Sequence, residues 1–388
     1  MRAVRRKLLL LAGVIPMLLL LLTSCWNSKD IQNMAYITAI GFDYENGKYV
    51  TYVQVLNFSN VAKSESNQSG RSVPTWIGKG EGTSVTQSFN SIYSTAQLRV
   101  FWGHVKALVF SERFLEEGER IRSTYDLVNR YREIRYNIPV YGTREPLRDI
   151  LAMKSNLNLS PLQTVMESPE MSYSQRSDIL PLHGYKLIAL INEPAGAPLL
   201  PSLAIDREAW TEDTDPKSMF KIDGAYFFKG TVAKDWFSED DLKGYRWMQK
   251  KLQRSIINIP NDIEPEAAIV IENPSNSVHH TVRDGHVYFT INLKLNAYVD
   301  ELRRNLKKQE IEKMASQTIE NQIRHTFMKG MARKVDIFNL TECLYRENPK
   351  KWRELNSEGG FMIDKESLVN VKVDVRLQHS GKYKLRVD

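Results

Sequence analysis

The sequence predicts a multi-domain α+β protein, with mixed sheets that carry packed helices and a long amphipathic helix in the last domain. Three observations predict it. Strand-like alternation and helix-like periodicity interleave along the chain. Prolines at 161, 169, 181, 194, 198, 201 and 216 separate two patterned halves. Near the end, Val287, Phe289, Ile291, Leu293 and Leu295 alternate strictly, and Ile311, Ala315, Ile319, Ile323, Phe327 and Met331 then recur every four residues. With 388 residues, 42% of them hydrophobic, the chain can fill two or three cores.

The N-terminus reads as a removable signal. Arg2, Arg5, Arg6 and Lys7 precede an uncharged run from Leu8 to Leu22 that Gly13 and Pro16 interrupt, the order of a secretory signal. The run falls short of the about 20 apolar residues that a membrane span needs. Leu22-Thr23-Ser24-Cys25 resembles the lipobox of bacterial lipoproteins. That resemblance implies a diacylglycerol thioether on the Cys25 thiol, removal of residues 1–24 and acylation of the new amino group, with palmitate among the acyl chains. A thiolate is the side-chain nucleophile suited to such a transfer. Basic residues before the run keep that end inside, so everything after Cys25 is expected outside the cytoplasm, held at a membrane.

Charge adds little. Four of the positive charges behind the net +7 lie in the signal, which leaves +3 for the mature chain and no footprint for nucleic acid. Cys343 is the one cysteine besides Cys25, so no intrachain disulfide is expected once Cys25 is lipidated.

An N-terminal α/β domain is expected over residues 25–195. Its first unit is a hairpin over residues 34–56 with an Asn46-Gly47 turn, followed by a polar loop at 59–72 and an extended piece around Trp76 and Ile77. Ser84 and Gln87 form a capping box for a helix from Val85 to about Ala96. A strand is expected over Val105–Phe110, then a helix with one buried face carrying Leu115, Ile121, Tyr125, Val128, Tyr131 and Ile134. A strand from Ile138 to Tyr141 and a proline-started helix over Pro146–Met153 follow. Residues 196–262 are expected to hold a connecting region and a small middle domain, with a strand at Ile222–Lys229 and a helix from Asp240 to about Arg254. A C-terminal α+β domain is expected over 263–388. It closes on a hairpin of Val371, Val373, Val375 and Leu377 with Tyr383, Leu385 and Val387.

Patterns that carry chemistry are nearly absent. Gly78-Lys79-Gly80-Glu81-Gly82-Thr83-Ser84 places its lysine too early for a nucleotide loop and reads as a Gly-rich turn before a capped helix. Adjacent His279 and His280 in a strand point to opposite faces, so with His286 they read as solvated. Glu239-Asp240-Asp241 suits a helix start. Cys343 lies in a helical pattern with Leu340, Leu344 and Tyr345 and reads as a small packed residue. No catalytic, cofactor or metal-binding residue is assigned, and no enzyme is expected.

Several stretches in order resemble the Ger(x)C family of spore germination lipoproteins. They are Cys25-Trp26-Asn27, Ile40-Gly41-Phe42-Asp43, Gly103-His104-Val105-Lys106, Arg132-Glu133-Ile134-Arg135, Ile222-Asp223-Gly224-Ala225 with Gly244, Asp336-Ile337-Phe338, Asn348-Pro349-Lys350-Lys351-Trp352 and Gly381. Asn27 stands where the family usually has Asp, and Asn339 where it has Gly. The resemblance implies a three-domain, non-enzymatic, lipid-anchored subunit of a nutrient germinant receptor, with two membrane-embedded partners in the spore inner membrane. The alternative of another class is a lipid-tethered extracytoplasmic solute-binding protein with a nutrient cleft between two similar lobes. Among the motif residues, Trp352 and Phe338 read as aromatic anchors, and Gly41, Gly103 and Gly381 as special backbone positions.

Overall fold

A computed structural model describes residues 34–56, 74–154, 164–356 and 363–379, together with Arg5. Cys25, the signal and the returning half of the closing hairpin lie outside the described residues. The fold is α+β, built on two sheets.

The first sheet starts with the expected hairpin, β1 (Met34–Glu45) and β2 (Lys48–Leu56). Asn46 and Gly47 both take positive φ, 50° and 78°, as the tight turn requires. Strand β3 (Trp76–Gly82) adds to β2. The Gly-rich stretch read as a turn is therefore mostly strand. A Cβ on Gly80 would collide with the Ser88 carbonyl, so the glycine lets helix α1 (Val85–Tyr93) lie directly on the sheet. Ser84 caps α1 by accepting the Gln87 N–H at 3.2 Å, while the Gln87 side chain reaches back to Thr83, one residue short of the reciprocal box.

Strands β4 (Arg99–Phe101) and β5 (Ala107–Ser111) run parallel to β1. The single helix read across residues 115–134 is two helices, α2 (Glu112–Leu115) and α3 (Gly118–Arg130). Strand β6 (Val140–Thr143) and helix α4 (Leu147–Ala152) follow as expected. Helices α5 (Pro169–Gln175) and α6 (Gly184–Ile191) then lead to β7 (Leu199–Glu212), β8 (Asp215–Lys229) and β9 (Val232–Ser238).

These last three strands correct the expected middle domain. They extend the first sheet in the order β3-β2-β1-β5-β6-β7-β8-β9. The expected strand at Ile222–Lys229 is the second half of β8, while the prolines hid β7: it meets its parallel neighbour β6 at one register pair, Gly142 with Ser202, so Pro201 interrupts a ladder that is short there anyway. The sheet is covered on both faces. Phe42, Phe89, Phe110 and Tyr125 pack on one side, and Ala39, Val109, Tyr141 and Ile150 on the other.

The second sheet has the order β10-β11-β12-β13, formed by Ser255–Ile259, Ala267–Arg283, His286–Leu302 and Leu368–His379. Strand β13 lies parallel to β12, and such a connection needs a crossover. Helices α7 (Lys308–Ala332), α8 (Leu340–Glu347) and α9 (Pro349–Leu355) supply it. Ile311, Ala315, Ile319, Ile323 and Phe327 are the buried stripe of α7, as their spacing predicts, and they share one core with Phe289, Ile291, Leu293, Trp247, Leu252 and Ile257. Because Trp247 and β10 belong to that core, a boundary at residue 263 cuts through it.

Glu167 follows α4 and precedes α5. It is 7% exposed, and neither carboxylate oxygen has a hydrogen-bond partner among the described residues. Burial holds its pKa well above the ordinary carboxyl range. A raised carboxyl pKa in the fold contributes stability that is complete below the unfolded pKa of about 4.3 and is lost as pH rises through the folded value. Glu167→Gln is therefore expected to gain about 1–3 kcal/mol over the parent at pH 8 and almost nothing at pH 4. Thermal melts across that range check it, and a difference independent of pH would contradict it.

Candidate functional site

The residues that the sequence singled out, other than Cys25, do not form a catalytic constellation. Glu239, Asp241, Gly244 and Asn339 lie where the two sheets meet; the others are spread over the two sheets. The segment expected to be a helix over residues 240–254 is instead a set of turns ending in a short 3-10 helix, Tyr245–Met248. Tertiary contacts with α7 replace helical hydrogen bonds there. The Gly244 N–H donates to Thr326 Oγ1 at 2.9 Å, and that hydroxyl donates to the Asp241 carbonyl at 2.7 Å. A Cβ on Gly244 would collide with the Gln322 carbonyl, which explains the need for glycine at this close approach. Trp247 is fully buried and its indole N–H donates to Gln322 Oε1 at 2.9 Å.

The three adjacent carboxylates diverge. Glu239 pairs with Arg176, Asp240 with Lys243 at 3.1 Å, and Asp241 with Lys329 at 2.8 Å. Glu239 and Asp241 reach distant segments and Asp240 pairs within its own turn, so no acid and base pair is formed among them.

The loop after α7 completes the junction. Arg333 donates to Asp235 Oδ1 at 3.1 Å and to the Trp236 carbonyl at 2.5 Å, and its guanidinium lies 4.6 Å from the Phe237 ring centre. Asp336 is buried and accepts the backbone N–H groups of Leu340 and Thr341 at 3.0 and 2.8 Å, which starts α8. Burial raises its pKa despite those donors. Asn339 takes φ 53°, the left-handed region where glycine is free and asparagine is tolerated. Its side chain accepts the Ala197 N–H at 2.5 Å. The departure from glycine at this position thus keeps the backbone geometry and adds a link to the first sheet. Asn348 caps α9 through the Lys351 N–H at 3.0 Å, and Trp352 is buried edge-on to Tyr345 at 5.1 Å. Phe338 is buried in the same core as Trp352. Gly41 and Gly103 do not take positive φ; among the described glycines Gly47, Gly230 and Gly285 do, all at turns. Gly103 instead gives room to the Phe101 ring, 2.7 Å from where a Cβ would stand.

Between the sheets lies a cavity of about 470 Å³ lined by Arg176, Asp178, Glu239, Lys243, Arg246 and Arg254, among others. Most of its charges pair with one another, and Arg254 reaches the Gln175 carbonyl at 3.4 Å. Arg246 donates to Asp178 at 2.6 Å, and Arg176 contacts Asp178 at 2.9 Å as well as Glu239. Burial opposes ionisation of Asp178, but Arg246 and Arg176 outweigh it and hold its pKa low. Burial also raises Glu239, against the pull of Arg176. Ser177 ties this segment to the lead into β10: its backbone N–H donates to the Arg254 carbonyl at 2.9 Å, and its hydroxyl accepts the Gln253 and Arg254 N–H groups at 3.1 Å.

Of the three histidines, His279 and His286 are exposed, and His280 turns to the other side of its strand, under α8. Cys343 is there beside it. Burial first, and then the Glu347 carboxylate, push the thiol up to about 11, so it is protonated at neutral pH and is no nucleophile. Its closeness to His280 joins residues 63 apart, which no local pattern could show. The four-residue step from Cys343 to Glu347, which puts both on one helix face, was the legible part.

Among the described residues, this is a two-sheet α+β protein joined through buried polar links. Residues 27–205 match the family described as "Spore germination protein N-terminal domain", and residues 223–381 the one described as "Spore germination B3/ GerAC like, C-terminal". The chain belongs to this GerAC-type spore germination family. It is 22% identical to Spore germination protein KC of Bacillus subtilis (strain 168) over 387 residues, which is 95% of this chain and 94% of the relative. Putative spore germination protein YfkR of the same organism is 21% identical, over 88% of this chain and 91% of its own length. A solved structure described as "Crystal Structure of the GerBC protein" superposes with a TM-score of 0.49 and 15% identity, covering 90% of this chain and 100% of that one. The match to the first family model ends within β7 and the second begins within β8, so both matched segments build the first sheet.

Proposed function

We propose that the chain is the lipid-anchored subunit of a nutrient germinant receptor, tethered through Cys25 to the outer face of the spore inner membrane. It is not an enzyme in this reading, and it acts through contacts with membrane-embedded partners. Membership of the germination family along nearly the whole chain carries the reading, and the basic, apolar and lipobox order of residues 2–25 supports the tether. No helix among the described residues is long and apolar enough to cross a membrane; the attachment is assigned to Cys25 on the lipobox order of residues 22–25.

The solute-binding alternative requires two similar lobes and free polar groups in the cleft between them. The two sheets differ in strand number and order, and Arg176, Asp178, Glu239 and Arg246 already pair with one another. Those pairings suit a joint that fixes the two parts better than a seat for a nutrient. Cys25→Ala is expected to abolish incorporation of labelled palmitate and to leave a precursor longer by the signal. Unchanged labelling of that variant would contradict the anchor.

A further inference from the structure

Under α8, away from the charged cavity, a nitrogen, a sulfur and an oxygen donor converge. Cys343 and Glu347 lie one turn apart on the helix, and His280 stands on β11 below them. His280 Nδ1 is 3.0 Å from Glu347 Oε2, Cys343 Sγ is 3.9 Å from His280 Nδ1, and Cys343 Sγ is 3.6 Å from Glu347 Oε1. We propose that His280, Cys343 and Glu347 are three protein ligands of a zinc ion.

The triangle has the size that the ion needs. Tetrahedral zinc holds sulfur at about 2.3 Å and nitrogen or carboxylate oxygen at about 2.0–2.2 Å. Those bond lengths place sulfur and nitrogen about 3.6 Å apart, sulfur and oxygen about 3.6 Å, and nitrogen and oxygen about 3.4 Å. The nitrogen to sulfur separation, and the separations of nitrogen from Oε2 and of sulfur from Oε1 of the one carboxylate, are each within about 0.4 Å of that geometry, and one donor atom from each of the three residues lies within 4.8 Å of the others. The donor set excludes the hard cations, since calcium and magnesium take oxygen alone, whereas mixed thiolate, imidazole and carboxylate ligation suits zinc. Three protein ligands leave a fourth position for water or for a group from another chain.

The ligands are already in place without the ion. The His280 and Glu347 pair brings β11 and α8 together, and the Cys343 thiol also lies 3.5 Å from the Val278 carbonyl. Access is from the Glu347 side, whose side chain is 58% exposed, while the His280 side chain is 13% exposed. On binding, the Cys343 S–H bond breaks, its electron pair becomes the bond to zinc, and the proton passes to the buffer. Nothing is oxidised or reduced. The ion would fasten α8 to the second sheet, and this inference is independent of the receptor reading.

The test uses the untagged full chain in detergent, with Cys25→Ser so that Cys343 is the one remaining thiol. After chelator treatment, calorimetric titration with zinc chloride should show one ion per chain, and buffers of different ionisation enthalpy should report proton release. Cobalt(II) should give a thiolate charge-transfer absorption that Cys343→Ser removes. Glu347→Gln changes an exposed side chain and leaves folding intact, and it should weaken zinc at least about tenfold. No stoichiometric zinc binding, cobalt uptake without the charge-transfer band, or zinc affinity in either variant equal to that of the parent would each overturn the proposal.

Discussion

Trp247→Ala is expected to lower unfolding stability by about 3–5 kcal/mol, because it removes a large ring from a filled core. Trp247 is 0% exposed and comes from the segment between the two sheets, yet its ring belongs to the core under α7. The loss has two parts. Truncation leaves a cavity among Leu252, Ile257 and the α7 stripe, and it strands the Gln322 side-chain oxygen that now accepts the indole N–H. Trp210, which is 57% exposed near the end of β7, serves as the control, and its replacement by alanine should stay within about 0.5 kcal/mol. Urea unfolding measures both. If Trp247→Ala unfolded at the same urea concentration as Trp210→Ala, the inter-sheet segment would not be part of the core.

A second large effect concerns the tether. Loss of the chain is expected to abolish the response of spores to one set of nutrients, while lysis by non-nutrient triggers remains. A folded, soluble form without residues 1–25 is expected not to restore it. Confinement to one surface gives partners an effective concentration on the order of mM, so weak lateral contacts suffice to hold an assembly together. Release into bulk removes that advantage without changing any contact. More than one acyl chain is needed, because a single chain binds membranes only marginally, and a lipidated N-terminal cysteine carries several. Full rescue by the soluble form would show that the tether is dispensable.

The sequence made the locally determined elements legible. The Asn46-Gly47 turn, the Ser84 cap and the four-residue stripe of α7 each depend on neighbours in the chain, and each stands where expected. Elements that depend on distant partners were missed. Strand β11 carries the polar run Glu272-Asn273-Pro274-Ser275, with a bulge against β12, so its alternation is broken in the sequence and restored only by pairing. Residues 240–254 satisfy helical periodicity, but the bonds that Gly244 and Trp247 make to α7 override it. The junction was half legible: the motif residues Gly244, Asp336 and Phe338 stood out, but their common location did not. His280 and Cys343 were each read singly, since their contact spans the fold.

Affinity isolation of the tagged chain from spore membranes in mild detergent tests the central claim most directly. Two membrane-embedded proteins are expected to be recovered with it, and the Cys25→Ala form is expected to recover neither. Isolation of the chain by itself, together with micromolar binding of the nutrient to that isolated chain, would contradict the receptor-subunit reading in favour of a solute-binding protein.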